Sequence, residues 1–184
     1  MNHSNRAAGF GAAILFAAAL LVSAIVVVSG AYNIAADDSH YAVTRDLIEY
    51  MRDRSIAVRS AGIAVPNLTG AKMIADGASD YDEMCTSCHL APGLAENEMR
   101  PGLNPKPPIL ASIPVGDPVE QFWIVKHGLK MTGMPAWGVT HSDAEIWNIV
   151  AFLQKLPSLS PQQYRAAVAA SAGHHEMDHM DMEH

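Results

Sequence analysis

Residues Cys85-Thr86-Ser87-Cys88-His89 hold both cysteines of the chain and place a histidine directly after the second. A C-x-x-C-H run is the attachment signature of a c-type haem. Each residue type has a chemical reason to be there. Two thiols can add across the two vinyl groups of a porphyrin, giving two thioether bonds. Thiols at i and i+3 lie on one side of a short helical turn. The imidazole that follows then falls beneath the iron and ligates it through a neutral nitrogen. Such links keep the cofactor on the chain in either oxidation state, so a small domain needs no deep pocket to retain it.

Three plainer uses of the same residues compete. One is a structural disulfide between Cys85 and Cys88. The second is a thioredoxin-like pair, which opens a helix in a βαβ context, and no strand pattern precedes this one. The third is half of a zinc site, which needs two more cysteine or histidine ligands in a matching cluster.

Downstream, Met131-Thr132-Gly133-Met134-Pro135-Ala136-Trp137-Gly138 lies just before a strong helical pattern. With this segment in place the chain resembles the monohaem class I cytochromes c of bacterial membranes and periplasm. The resemblance runs from about Thr69 to Pro157, a normal size for one compact domain. In that family a methionine in a G-x-M-P or M-P-A-W loop supplies the second axial ligand. The resemblance therefore implies Met134 as the ligand opposite His89, with Met131 as the alternative sulfur; plain apolar packing is what methionines do without such a context. It also implies that the first and last helices of the domain cross at a small residue, Gly77, flanked by Tyr81 and Trp147.

The helical pattern is legible in the residues themselves. Ser142-Asp143-Ala144-Glu145 is a capping box, followed by Ile146, Ile149, Val150 and Leu153 on one face and by Pro157 as a stop. Asp117-Pro118 starts a shorter helix that Gly128 ends. Ala71 to Tyr81 reads as a first helix, with Gly77 a tolerated weakness. Between His89 and Asp117 stand Pro92, Pro101, Pro105, Pro107, Pro108 and Pro114, which exclude regular helix or central strand. This stretch reads as loops around the haem edge, and one of its carbonyls is expected to take the proton on the far nitrogen of His89.

No charged residue occurs from Ala7 to Ala36, and the most apolar part runs from Ala12 to Val28. Roughly twenty helical residues cross a bilayer core. Arg6 precedes the stretch and Asp37 and Asp38 follow it, which puts the remainder on the outer face. A cleaved signal segment is the rival, with Ser29-Gly30-Ala31 as its cleavage site, but its apolar region is usually about 7–15 residues. Residues from His40 to Gly62 read as a helical spacer with Leu47, Ile48, Met51 and Val58 as its apolar stripe.

The far end of the chain is rich in soft and borderline donors: His174, His175, Met177, His179, Met180, Met182 and His184. Thioethers suit Cu(I) and imidazoles suit Cu(II), nickel or zinc, so this tail is a speculative second metal site with copper the first expectation. A solvated, acidic, disordered tail is the plain alternative. The formal net charge of −7 argues against nucleic acid as a partner. Arg100, Lys106, Lys126 and Lys130 are the cations near the expected haem and a candidate docking patch for a redox partner, or else ordinary surface charges.

The expected organisation is thus all-α, with a cytochrome c-like domain of about three to four helices around one covalent haem c, behind a transmembrane helix. Its segments are 1–36 as anchor or signal segment, 37–68 as helical spacer, 69–160 as cytochrome c domain and 161–184 as flexible His/Met-rich tail. The expected function is single-electron transfer by a single-pass protein of a bacterial inner membrane, its haem domain in the periplasm, exchanging electrons with redox proteins. A haem-based sensor or enzyme, in which Met134 leaves the iron, and a copper-handling protein built on the tail are the alternatives.

Overall fold

A computed structural model describes the backbone of residues 3–180 and the side chains of residues 9–171. Among the described residues all regular structure is helical. The chain divides into two units, Met1–Asp38 and Ser39–His184.

The first unit is one helix, α1 (His3–Ser29). Its Gly9–Ser29 stretch of 21 residues has a mean hydropathy of 2.8 and no buried part. By length and composition it can cross a membrane.

The second unit holds α2 (Ala42–Ser60), α3 (Ala71–Met84), a single turn α4 (Thr86–His89), α5 (Pro118–His127), α6 (Asp143–Leu153) and α7 (Pro161–Met180). Local sequence explains the ends. Asp117 accepts a hydrogen bond from the Val119 amide at 2.8 Å and starts α5. At α6 the Ser142 hydroxyl accepts from the Glu145 amide, and the Glu145 carboxylate accepts from the Ser142 amide at 2.7 Å, a complete capping box. Ile146, Ile149, Val150 and Leu153 then all face the core.

The core forms where α6 is sandwiched by its neighbours. α3 crosses α6 at Gly77, where an added methyl group would overlap the carbonyl of Asn148. Tyr81 packs its ring 5.5 Å from Phe152. Trp147 stacks on Phe122 of α5 at 4.2 Å. Trp147 directly precedes Asn148 at the crossing and also joins α6 to α5.

Both flanking segments differ from their expected roles. α2 packs against α5, so it belongs to the folded unit. The face it buries is not the expected stripe: Leu47, Ile48, Met51 and Val58 are exposed, and Ile56 and Ser60 are buried. Only the C-terminal half of α2 meets a neighbour, so a stripe running its full length has nothing to pack on. The segment from Pro161 begins as a packed helix rather than a flexible tail. α7 lies along α3, Tyr164 is buried, and its hydroxyl donates to Asp82 at 2.6 Å.

Tyr81 and Tyr164 give the unit an alkaline limit. Burial pushes both phenols above their ordinary value, with Cys85 adding to it for Tyr81 and Asp82 for Tyr164. The folded chain then keeps protons that the unfolded chain releases near pH 10. Stability is therefore intact below that pH and is expected to fall above it, by up to about 1.4 kcal/mol per pH unit for each tyrosine. Urea unfolding between pH 9 and 11 checks this, and Tyr164→Phe is expected to remove about half of the slope.

Candidate functional site

The C-x-x-C-H run folds as a continuation of α3. The Cys85 amide still donates to Tyr81 O at 3.0 Å, and the turn then tightens, with the Cys88 and His89 amides both donating to Cys85 O at 3.1 and 2.8 Å. Both thiols are free and partly buried. Burial, then Asp80 and Cys88, pushes the Cys85 thiol up to about 12, so it is held as SH.

The chain leaves the turn through Leu90 at φ +56°, an unusual conformation for a bulky residue. It is pinned there by the Tyr81 hydroxyl, which donates to Leu90 O at 2.7 Å inside the core. A buried phenol thus fixes the residue that follows His89.

The His89 ring is oriented from the proline-rich segment. Its Nδ1 lies 2.9 Å from Pro108 O. A carbonyl only accepts, so Nδ1 carries the proton and Nε2 keeps a lone pair. Burial lowers the pKa of His89, outweighing the Pro108 bond that raises it, and the charge of Arg100 lowers it further. The ring is thereby kept neutral, the form that binds a metal.

A second part of the site comes from the loop after α5. Gly128 turns at φ +65°, where a side chain would run into the backbone of Met134 and Pro135. The loop closes on itself: the Leu129 amide donates to Met134 O at 3.2 Å, the Thr132 hydroxyl to Leu129 O at 2.7 Å, and the Met134 amide to the Thr132 hydroxyl at 3.0 Å. This fold of the loop sends its two methionines in different directions. Met134 is partly buried against the core, whereas Met131 sits at φ +60° and is 87% exposed.

Cys85, Cys88, His89 and Met134 line one cavity of about 510 Å³, and Met131 is not among its lining residues. The other lining residues are largely aliphatic, with Trp137 among them. A pocket of this size with few polar groups suits a large flat apolar cofactor. Two free thiols, a neutral imidazole with its Nδ1 occupied, and a thioether on the loop after α5 form a donor set that fits haem c.

Sequence reasoning missed two parts of this site. Arg52, Asp53 and Ile56 of α2 also line the cavity. Their spacing follows one helical face, but nothing local says which face meets a neighbour. The second is Arg100, expected in a surface patch and found 5% exposed. Three of the four cations of the candidate patch have acidic partners. Arg100 and Lys106 both pair with Glu96, and Lys126 pairs with Asp143 at 2.6 Å, while Lys130 is exposed. The i, i+4 spacing of Glu96 and Arg100 was the available signal.

The tail donors are a different case. Of His174, His175, Met177, His179 and Met180 only the backbone is described, and Met182 and His184 lie outside the described residues. Among the described residues no group of three or more histidine, cysteine, aspartate or glutamate side chains is placed to hold a metal ion, and nothing supports copper.

Residues 72–153 match the family model described as cytochrome C oxidase, cbb3-type, subunit III. Comparisons with curated proteins and with solved structures return no match.

Proposed function

Since residues 72–153 form a monohaem c-type cytochrome domain, we propose that the protein is a membrane-tethered periplasmic electron carrier with His89 and Met134 as axial ligands. One observation carries this reading: Cys85, Cys88, His89 and Met134 line a single cavity of about 510 Å³. When bound there, haem c supplies a one-electron Fe(III)/Fe(II) couple.

The chain's residues divide the remaining work. Cys85 and Cys88 offer free thiols for thioether links. The Pro108 carbonyl holds the His89 proton on Nδ1 and so presents Nε2 as the ligand atom. Met134 offers a sulfur ligand, which favours the ferrous state and raises the potential. With haem c bound, His89 and Met134 would both be taken up as iron ligands, which would favour electron transfer over turnover. Aliphatic walls exclude water, which keeps solvent reorganisation small.

The tether rests on the apolar Gly9–Ser29 helix. Arg6 before it and Asp37 and Asp38 after it favour a cytoplasmic start and a periplasmic haem domain. Partners are then redox proteins that reach this face of the membrane.

The test is the visible spectrum of full-length protein matured with haem-attachment machinery. The expected protein is coloured, keeps its pigment in acidified organic solvent, and has a sulfur-to-iron charge-transfer band when oxidised. Colourless protein, or pigment that extracts, would overturn the reading.

A further inference from the structure

Arg100 is the one charged residue among the described residues that is buried, at 5% exposure. A guanidinium in that position is costly unless its donors are paired. All of its side-chain nitrogens have partners. Nε donates to Cys88 O at 3.1 Å and Nη2 to Pro107 O at 2.7 Å, while Nη1 pairs with Glu96. Asn97 Oδ1 accepts from the Arg100 amide at 3.0 Å and seats the residue at the start of its short turn.

The identity of the acceptors is informative. Cys88 directly precedes His89, and Pro107 directly precedes Pro108, whose carbonyl holds the His89 ring at 2.9 Å. The dipeptides Cys88-His89 and Pro107-Pro108 are therefore stitched together twice, once by the imidazole and once by the guanidinium. A planar fork reaches two carbonyls at once, which an ammonium cannot do in the same geometry. The positive charge also sits on the carbonyl of Cys88, the residue directly before His89. Its counter-charge is on the outer side: Glu96 is 44% exposed and shared with Lys106 at 2.6 Å.

We propose that Arg100 is a positioning residue for His89 and that its buried charge raises the reduction potential of the site. The inference rests on the electron-carrier reading. Oxidation adds one positive charge at the iron, and a fixed cation nearby in a low-dielectric setting opposes it. Glu96 opposes Arg100, so the two side chains act on the potential with opposite signs.

The experiment uses full-length holoprotein and redox titration, with the sulfur-to-iron band recorded for every variant. Arg100→Met is expected to keep the band and lower the midpoint. At fixed ambient potential the ferrous-to-ferric ratio should fall roughly tenfold, which is about 59 mV for one electron. Glu96→Gln is expected to raise the midpoint by a smaller amount, since its carboxylate is partly screened by solvent. Arg100→Lys should hold the midpoint near wild type and lower the urea midpoint, because the charge is kept and the fork is lost. Unchanged midpoints in both Arg100→Met and Glu96→Gln, or shifts of the same sign, overturn the proposal. Should Arg100→Met fail to accumulate, an unmoved midpoint in Glu96→Gln overturns it alone. Wild-type protein without covalent haem would count against the electron-carrier reading, not against the electrostatic one.

Discussion

Gly77→Ala is expected to destabilise the folded unit by more than about 3 kcal/mol, a large share of a typical domain's total. Helix propensity alone gives the opposite sign. Glycine inside a helix costs roughly 1 kcal/mol against alanine, so an exposed Gly77 would be improved by the change. The crossing of α3 and α6 reverses this. A methyl group at residue 77 meets the Asn148 carbonyl and the backbone that follows it, and backbone has no rotamer to move into. The helices must separate, and the contacts of Tyr81 with Phe152 and of Ala78 with the core loosen together. The damage should reach the site, because Tyr81 also pins Leu90 beside His89. Urea unfolding of the holoprotein measures the loss, and Gly77→Val should be worse. A Gly77→Ala protein as stable as wild type would mean that α3 and α6 do not meet as closely as described.

What could be read in the chain follows from how local each interaction is. Haem attachment needs its thiols and imidazole within five consecutive residues, so Cys85, Cys88 and His89 stand out in the sequence. The capping box at Ser142 and Glu145 is equally local and forms as read. Met134 was legible only through the family's loop pattern, and the site geometry then separates it from Met131 by exposure. The sequence points to a proline-segment carbonyl as the partner of His89 but does not single out Pro108, because every residue offers a carbonyl and only the fold selects one. Charge misled the reading of Arg100. Arginine is almost never buried unless paired, and its pairing depends on the carbonyls of Cys88 and Pro107, twelve and seven residues away and set by no regular helical spacing. The buried face of α2 and the packing of α7 on α3 failed for the same reason. In each case the buried face is chosen by a neighbour that the segment itself does not specify.

Met134→Ala is expected to erase the sulfur-to-iron band, to let the reduced protein bind carbon monoxide, and to lower the midpoint potential. The drop should be on the order of a hundred millivolts, a fraction of the roughly 0.8 V range that axial ligands control. Met131→Ala should change none of these, since that side chain is 87% exposed and its residue lies outside the cavity lining. Packing and ligation must be separated, because Met134 also touches the core. Met134→Leu does so: it conserves volume, at a cost usually under about 1.5 kcal/mol, and removes only the sulfur. If ligation is what Met134 contributes, the leucine protein should match the alanine protein in spectrum and potential while matching wild type more closely in stability. A band that survives in Met134→Leu and vanishes in Met131→Ala would reassign the ligand. It would also require the loop closed by Leu129 and Thr132 to open, since that closure is what turns Met131 toward solvent. The ligand assignment and the loop's hydrogen bonds therefore stand or fall together, and the two variants test both at once.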